Sequence, residues 1–348
     1  MERTDARKKG ILLVNLGSPD STRVEDVRAY LREFLMDPCV IDAPYPIRAM
    51  IVHGFILPFR PKHSAEAYAS IWWDEGSPLL VISRRVLRAL RRRLDRPVAL
   101  GMRYGNPSIR AALTELLEQG VTDIFLVPLY PHYAMATVQT VVDQTRAALE
   151  ATGTDARLKV MPPFYADPAY LEALAESAAE SLRWDYDHLL FSYHGVPERH
   201  VRKTDPTGAH CLRSDTCCVT PSEAHATCYR HQVYRTTEAL AARLGLPPER
   251  YSVAFQSRLG PDAWLAPATA RELERLAQDG VRRLLVLCPS FVADCLETLE
   301  EIGLRGREIF LKAGGEEMRL IPCLNDHPAW IDALTSYCEQ EGPARGDP

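Results

Sequence analysis

Two tandem copies of a parallel α/β unit are the fold that this 348-residue sequence predicts. Three observations carry that expectation. Short apolar runs alternate with helix-length segments along the chain, the pattern of parallel sheets covered by helices on both faces. Segments of the two halves match each other in the same order, as in a duplicated unit. Hydrophobic residues make up 46% and charged residues 25%, the balance of a folded chain.

In chain order, strands are expected at 11–14, 98–101, 123–127 and 158–161, then at 188–192, 251–255, 284–287 and 319–321. Helices are expected at 108–119, 137–151, 168–182, 224–244, 269–279 and 295–310. GVTDIFLV at 120–127 aligns with GVRRLLVL at 280–287, and the same offset of 160 aligns DPAYLEAL at 167–174 with HPAWIDAL at 327–334. ILLVNLGSP at 11–19 resembles LLFSYHGVP at 189–197, and GMRYG at 101–105 resembles QSRLG at 256–260. The domains expected are 1–165, with a hydrophobic lip near 43–61, and 166–348, with a cysteine-rich insertion at 205–230 and a C-terminal helix near 328–340.

Other classes are disfavoured. A net charge of −5 argues against a broad nucleic-acid face. No apolar run reaches the ~18 residues needed to span a bilayer. Residues 1–10 are charged and carry no secretory h-region. The expectation is a cytoplasmic protein, at most peripheral at the inner face of the membrane. There is no Walker A run, no GxGxxG opening a helix, no GxSxG and no HExxH, so no nucleotide is expected.

Ligands of open parallel sheets bind beyond the carboxyl ends of the strands. Two such units facing each other would enclose a cleft walled by 15–19, 103–105, 130–133, 193–197, 256–260 and 290–297. His194 follows a strand where the first copy carries Leu16. An imidazole there can exchange a proton near neutral pH or ligate a metal; the alternative is a strand-end cap. Asp294, Glu297 and Glu301 are spaced i, i+3 and i+7, one face of a helix. They could guide a cation or carry protons, or form a solvated acidic face. Leu16, Met102, Tyr104, Tyr130, Tyr133 and Trp264 could wall a flat apolar ligand, with Arg103 as partner for its carboxylates, or simply pack the core. The lip could rest on a membrane or admit a hydrophobic ligand, or be a buried helix.

Taken in order, VNLGSPD at 14–20, GSPL at 76–79, MRYGNP at 102–107, YPHY at 130–133, FSYHGVP at 191–197, QSRLGPDAWLAP at 256–267 and FVADCLETLEEI at 291–302 resemble the ferrochelatases over nearly the whole chain. The resemblance implies two Rossmann-like domains of the chelatase type and a porphyrin bound distorted in the cleft between them. It implies a lyase that inserts Fe²⁺ into protoporphyrin IX, or into coproporphyrin III, with release of two protons, the last step of haem biosynthesis. His194 matches the family's histidine, as proton acceptor or metal ligand. Glu297 matches its essential glutamate, and Asp294 and Glu301 its proton or metal path. Leu16, Arg103, Tyr104, Tyr130 and Trp264 are the expected porphyrin contacts. Cys295 stands where many relatives have histidine.

Cys211, Cys217, Cys218 and Cys228 resemble the internal segment that holds a [2Fe–2S] cluster in a bacterial subset of the family. Zinc, with His210, His225 or His231 joining, and free thiols are the alternatives. Rival functions are a chelatase for another tetrapyrrole and a porphyrin carrier without catalysis. The partners expected are the porphyrin and Fe²⁺, with peripheral membrane contact and no nucleic acid.

Overall fold

The structure is a computed structural model and describes residues 7–343. Eight strands form two four-stranded sheets, parallel throughout. The first holds β1 (Lys9–Ser18), β2 (Val98–Gly105), β3 (Asp123–Pro128) and β4 (Arg157–Val160), in the order β2-β1-β3-β4. The second holds β5 (His188–His194), β6 (Tyr251–Gln256), β7 (Arg283–Leu287) and β8 (Glu317–Leu320), in the order β6-β5-β7-β8. β1 and β5 are buried along nearly their whole length, as central strands covered on both faces must be. Every strand expected from the sequence is present.

The shared strand order bears out the internal repeat, and the ladders fix its register. Ile11 pairs with Phe125 and Leu189 with Leu285, so the offset of 160 holds in space. The fourth match does not hold. Val14 pairs with Gly101, whereas its counterpart Ser192 pairs with Ala254. Gly101 therefore corresponds to Ala254, and Arg103 to Gln256, two residues away from the alignment of GMRYG with QSRLG. A slip of two keeps every side chain on its own face, so alternation alone does not reveal it.

The helices start where local chemistry directs. Ile109–Glu118 follows Ser108, whose hydroxyl accepts from Ala111 N at 3.2 Å. Pro168–Ala178 follows Asp167, which accepts from Ala169 N at 2.9 Å, with proline at the first helical position. Thr269–Gln278 lies within one residue of expectation. Other segments are compound. The stretch 137–151 is a π-helix, Met135–Gln139, then an α-helix, Thr140–Glu150. The stretch 224–244 is the 3₁₀ turn Glu223–Ala226 and the helix Tyr229–Arg243. The stretch 295–310 is Leu296–Thr298, the π-helix Leu299–Gly306 and Arg307–Lys312. In the lip, Tyr45–Ala49 runs into a π-helix, Met50–Ile56. Residue propensity does not separate i+5 from i+4 bonding, which is why the sequence reads these stretches as plain helices.

The chain forms two compact units. The first comprises the residues up to 129, 136–162 and those from 331 on; the second comprises 130–135 and 163–330. This division departs from 1–165 and 166–348 for identifiable reasons. Pro131 O accepts from Phe164 N at 3.0 Å, and Tyr133 N donates to Gln232 Oε1 at 2.7 Å, which ties 130–135 to the second unit. The last helix, Pro328–Gln340, sends its later turns to the first unit. There Arg93 bonds Asp332, and Lys9 Nζ meets Glu341 at 2.6 Å. Among the described residues no helix is long and apolar enough to cross a membrane.

Candidate active site

His194 is the last residue of β5, paired in register with Gln256, the last of β6. Its ring is half-buried, and Nδ1 lies 2.6 Å from Gly195 O. A carbonyl only accepts, so Nδ1 carries the proton and Nε2 carries the lone pair. The backbone is held on both sides. His194 N donates to Ser290 Oγ at 3.0 Å, and Tyr229 Oη donates to His194 O at 2.7 Å. Gly195 N donates to Gln256 O at 2.7 Å, and a Cβ on Gly195 would stand 2.7 Å from that oxygen and 3.1 Å from the Trp264 ring. Only glycine lets the Trp264 indole close over the residue after the histidine.

Gln256 is the hub of this neighbourhood. Its Oε1 accepts from Ser192 Oγ at 2.7 Å and faces Cys288 Sγ at 3.7 Å. Its Nε2 donates to Glu297 O at 2.6 Å, which ties the histidine strand to the carboxylate helix. Sequence reading placed Gln256 in a wall segment without a role. As a strand-end amide between histidine and an acidic run, it was the signal available.

The carboxylates are held differently from one another. Glu297 is half-buried in the first turn of its helix. Glu301 accepts from Ser257 N at 2.7 Å and Ser257 Oγ at 2.5 Å. Ser257 has φ +67°, in the left-handed region, and Glu301 clamps it there. Asp294 precedes the helix rather than lying along its face. Its carboxylate accepts from Asn325 Nδ2 at 2.7 Å and Thr298 Oγ1 at 3.0 Å, and its N–H donates to Asn325 Oδ1 at 2.8 Å. Glu297 and Glu301 therefore line the helix, and Asp294 is a buried clamp at its start. The π-helical stretch Leu299–Gly306, which contains Glu301, is a form frequent at functional sites.

Tyr130 is buried in the second unit, and Trp264 Nε1 is, among the described residues, a buried donor with no hydrogen-bond partner. Leu16, Arg103 and Tyr104 belong to the first unit. Leu16 is half-buried at the end of β1. Arg103 is engaged internally: Nη2 bonds Asp37 and Nε donates to Thr140 Oγ1 at 2.7 Å. Tyr104 is 0% exposed, and its hydroxyl donates to the same Asp37 oxygen at 2.8 Å. Burial, then the Asp37 charge, push that phenol well above its usual range. Its ring offers no face to a ligand. Asp37, which the sequence reading passed over, organises this cluster. A cavity of ≈ 690 Å³ opens beside it, lined by Ser18, Asp20, Glu33, Asp37, Arg103 and Asn106 among others.

The four clustered cysteines are buried. Asp205 shapes their loop by accepting from the backbone N–H of Thr207 at 2.9 Å, and of His210 and Cys211 at 2.8 Å. Cys228 Sγ accepts from His231 N at 3.5 Å, and Cys218 and Cys211 are its neighbours. The bond from Cys218 pulls the Cys228 thiol down to about 6 against the burial that opposes it, and the Cys211 and Cys218 thiols are pushed up. Arg230 Nη1 donates to Cys217 Sγ at 3.6 Å. In donor type, though not in arrangement, four buried thiols beside N–H donors that favour thiolate suit an iron–sulfur group. Among the described residues no three His, Cys, Asp or Glu side chains are arranged to hold a metal ion. His210 and His225 bond the carbonyl of Cys217 at 2.7 and 2.9 Å, and His231 bonds that of Cys218 at 2.6 Å. The three imidazoles that the zinc alternative could recruit each give one ring nitrogen to the backbone.

Duplicated parallel sheets, with an imidazole and carboxylates at the strand ends of the second, define a chelatase-type protein. SirB from Bacillus subtilis, solved with Fe³⁺, has a similar fold. Its TM-score is 0.52 at 12% identity, covering 96% of this chain and 95% of that one. The family model described as ferrochelatase matches residues 8–342. The ferrochelatase of Azotobacter vinelandii is 57% identical over 95% of this chain and 98% of its own length. That of Ectopseudomonas mendocina is 55% identical over 95% and 97%. The chain belongs to the ferrochelatase family, and it is an enzyme of haem biosynthesis with a porphyrin and iron as substrates.

Proposed function

We propose that this enzyme inserts Fe²⁺ into protoporphyrin IX, with His194 taking the pyrrole protons and Glu297 and Glu301 passing protons or metal onward. One observation carries the reading: Gly195 O fixes the His194 tautomer so that Nε2 is the base. A porphyrin nitrogen that has lost its proton is the lone pair iron needs. Protonation of Nε2 leaves the Nδ1–H bond to Gly195 O in place and strengthens it, since the donor is then cationic. The Glu297 and Glu301 carboxylates are acceptors for the proton next, and Asp294 holds the start of their helix rather than relaying.

Two features support protoporphyrin IX. Arg103 is already committed to Asp37, so it is a poor partner for the two extra propionates of coproporphyrin III. The lip exposes Tyr45, Ile47, Met50, Phe55 and Phe59, an apolar surface suited to a hydrophobic substrate and to resting on a lipid headgroup layer. The four thiols are proposed to hold a [2Fe–2S] cluster, which supplies one-electron redox chemistry when bound. Anaerobically purified protein should then contain iron and acid-labile sulfide, and Cys228→Ser should lose both.

The test of the main reading is anaerobic turnover with protoporphyrin IX and Fe²⁺, followed through the visible absorption bands. His194→Ala should lower kcat about 10²- to 10⁴-fold, the usual weight of a general base, while porphyrin binding persists. Insertion at the wild-type rate by that variant would overturn the role of His194. Preference for coproporphyrin III would overturn the substrate.

A further inference from the structure

We infer that Tyr229 is a positioning residue for the reaction: its hydroxyl pins the peptide unit that joins His194 to Gly195, and so keeps the Gly195 carbonyl on His194 Nδ1. The inference rests on the role proposed for His194. The His194–Gly195 peptide is bonded at both ends. Its carbonyl, His194 O, accepts from Tyr229 Oη at 2.7 Å, and its N–H donates to Gln256 O at 2.7 Å. A peptide is planar, so bonds at opposite ends fix its tilt. The backbone just beyond that plane is glycine, which by itself holds no direction. With the plane fixed, and with Val196 O held by Leu265 N at 3.1 Å on the far side, Gly195 O has its place 2.6 Å from Nδ1. Without the Tyr229 bond the plane can turn about the Gln256 bond, and the carbonyl that selects the tautomer moves with it.

The hydroxyl is carried on a rigid support. Tyr229 is buried, and its ring meets that of His132 edge to face, with centroids 5.8 Å apart. It is the first residue of the helix Tyr229–Arg243, whose N-cap is Cys228, and the Cys228 sulfur accepts from His231 N at 3.5 Å. Gln232 locks the same turn. Its Nε2 donates to Ala226 O at 2.9 Å, and its Oε1 accepts from Tyr133 N at 2.7 Å. Two turns on, Thr237 Oγ1 meets Tyr193 Oη at 2.7 Å. The helix therefore grips two successive residues of β5, whose side chains leave the strand on opposite faces. The Tyr193 contact docks the helix on the strand. The Tyr229 contact alone reaches the peptide that places the Nδ1 acceptor. Thr237 is thus a control that weakens the docking and leaves this peptide bonded.

The experiment compares Tyr229→Phe, Thr237→Val and His194→Ala in the full chain. It uses steady-state kinetics with protoporphyrin IX and Fe²⁺, and heteronuclear NMR of protein labelled in its histidine rings. Tyr229→Phe and Thr237→Val each remove one buried hydroxyl from the same helix, so both should lower the urea midpoint slightly and to a similar extent. Tyr229→Phe should lower kcat about 10- to 100-fold with KM for porphyrin unchanged, the weight of a reacting group out of place. Thr237→Val should stay within about threefold of wild type, since its hydrogen bond is remote from the reacting atoms. Added to His194→Ala, Tyr229→Phe should cost little further, as coupling through one imidazole requires. The His194 ring signals, identified by their absence from His194→Ala, should place the proton on Nδ1 in the wild type and show mixed tautomers in Tyr229→Phe. Wild-type kcat in Tyr229→Phe beside an impaired His194→Ala would overturn this inference alone. So would a Thr237→Val as slow as Tyr229→Phe, or an unchanged tautomer in Tyr229→Phe. Wild-type kcat in His194→Ala would overturn the reading of His194 and this inference with it.

Discussion

Replacing Asp37 by alanine should destabilise the first unit far more than a typical substitution. The carboxylate is buried, and four donors converge on it: Arg103 Nη2, Tyr104 Oη, Thr140 Oγ1 and Cys39 N. The Arg103 and Asp37 side chains are only 12% and 3% exposed, so water does not replace what is lost. Removing one member of such a pair costs about 3–5 kcal/mol. Orphaned neutral donors add to this, though not additively. At about 2–4 °C per kcal/mol for a unit of this size, a loss near 4 kcal/mol lowers Tm by about 8–16 °C. Thermal and urea unfolding read this directly. The pair of changes Asp37→Leu with Arg103→Met should recover most of the loss, since no charge is then left unpaired. A second readout is independent of unfolding. Burial, then the Asp37 charge, hold the Cys39 thiol up at about 11, so Asp37→Ala should speed its alkylation at pH 8. A Tm for Asp37→Ala within about 1 °C of wild type would refute the reasoning, because buried pairs broken this way do not leave stability unchanged.

Gly195→Ala should cost about 1–3 kcal/mol in urea unfolding and most of the activity, because its Cβ would collide with Gln256 O and the Trp264 ring. Ser257→Ala keeps the left-handed backbone but loses the 2.5 Å bond to Glu301, and should be less stable by about 1 kcal/mol. Ser257→Gly loses the same bond but relieves about 1–2 kcal/mol of backbone strain, so its urea midpoint should lie near wild type or above. Burial lowers the His132 imidazole to about 3, so the fold holds it neutral while the unfolded chain takes a proton below about pH 6.5. Its contribution is therefore complete above that pH and is lost as pH falls toward 3. His188, lowered to about 4 chiefly by burial, adds in the same direction. The urea midpoint should fall from pH 7 to pH 5, and His132→Phe should flatten the slope.

The strands, and the place of His194 at the end of one, were legible because each rests on a local signal. β1 and β5 are apolar runs, and His194 breaks the second where Leu16 continues the first. What escaped depends on partners distant in sequence or on forms the code does not mark. Asp37 lies 66 residues from Arg103, and nothing in its surroundings announces the pairing. Cysteine is not among the usual N-caps, so Cys295 gave no sign that the helix starts after it and that Asp294 falls outside. The acidic spacing, read as α-helical, crosses into π-helical turns at Leu299. The histidines of the cysteine segment suggested ligands by type alone, whereas unbonded carbonyls at Cys217 and Cys218 are what they satisfy.

The later turns of Pro328–Gln340 complete the first unit rather than the second. Leu334, Tyr337 and Cys338 are almost fully buried, and Arg96 Nη1 reaches Cys338 O at 3.4 Å. On the ribosome, β1 emerges early, but the segment that covers its unit is made last. During synthesis at about 5–20 residues per second, the first unit waits for tens of seconds with that face uncovered. The second unit, apart from a short early segment, is contiguous and can close before it. The half of the molecule translated first is thus the half that finishes folding last. A nascent chain stalled before residue 331 should expose its first unit to chaperones and proteases while its second unit resists them.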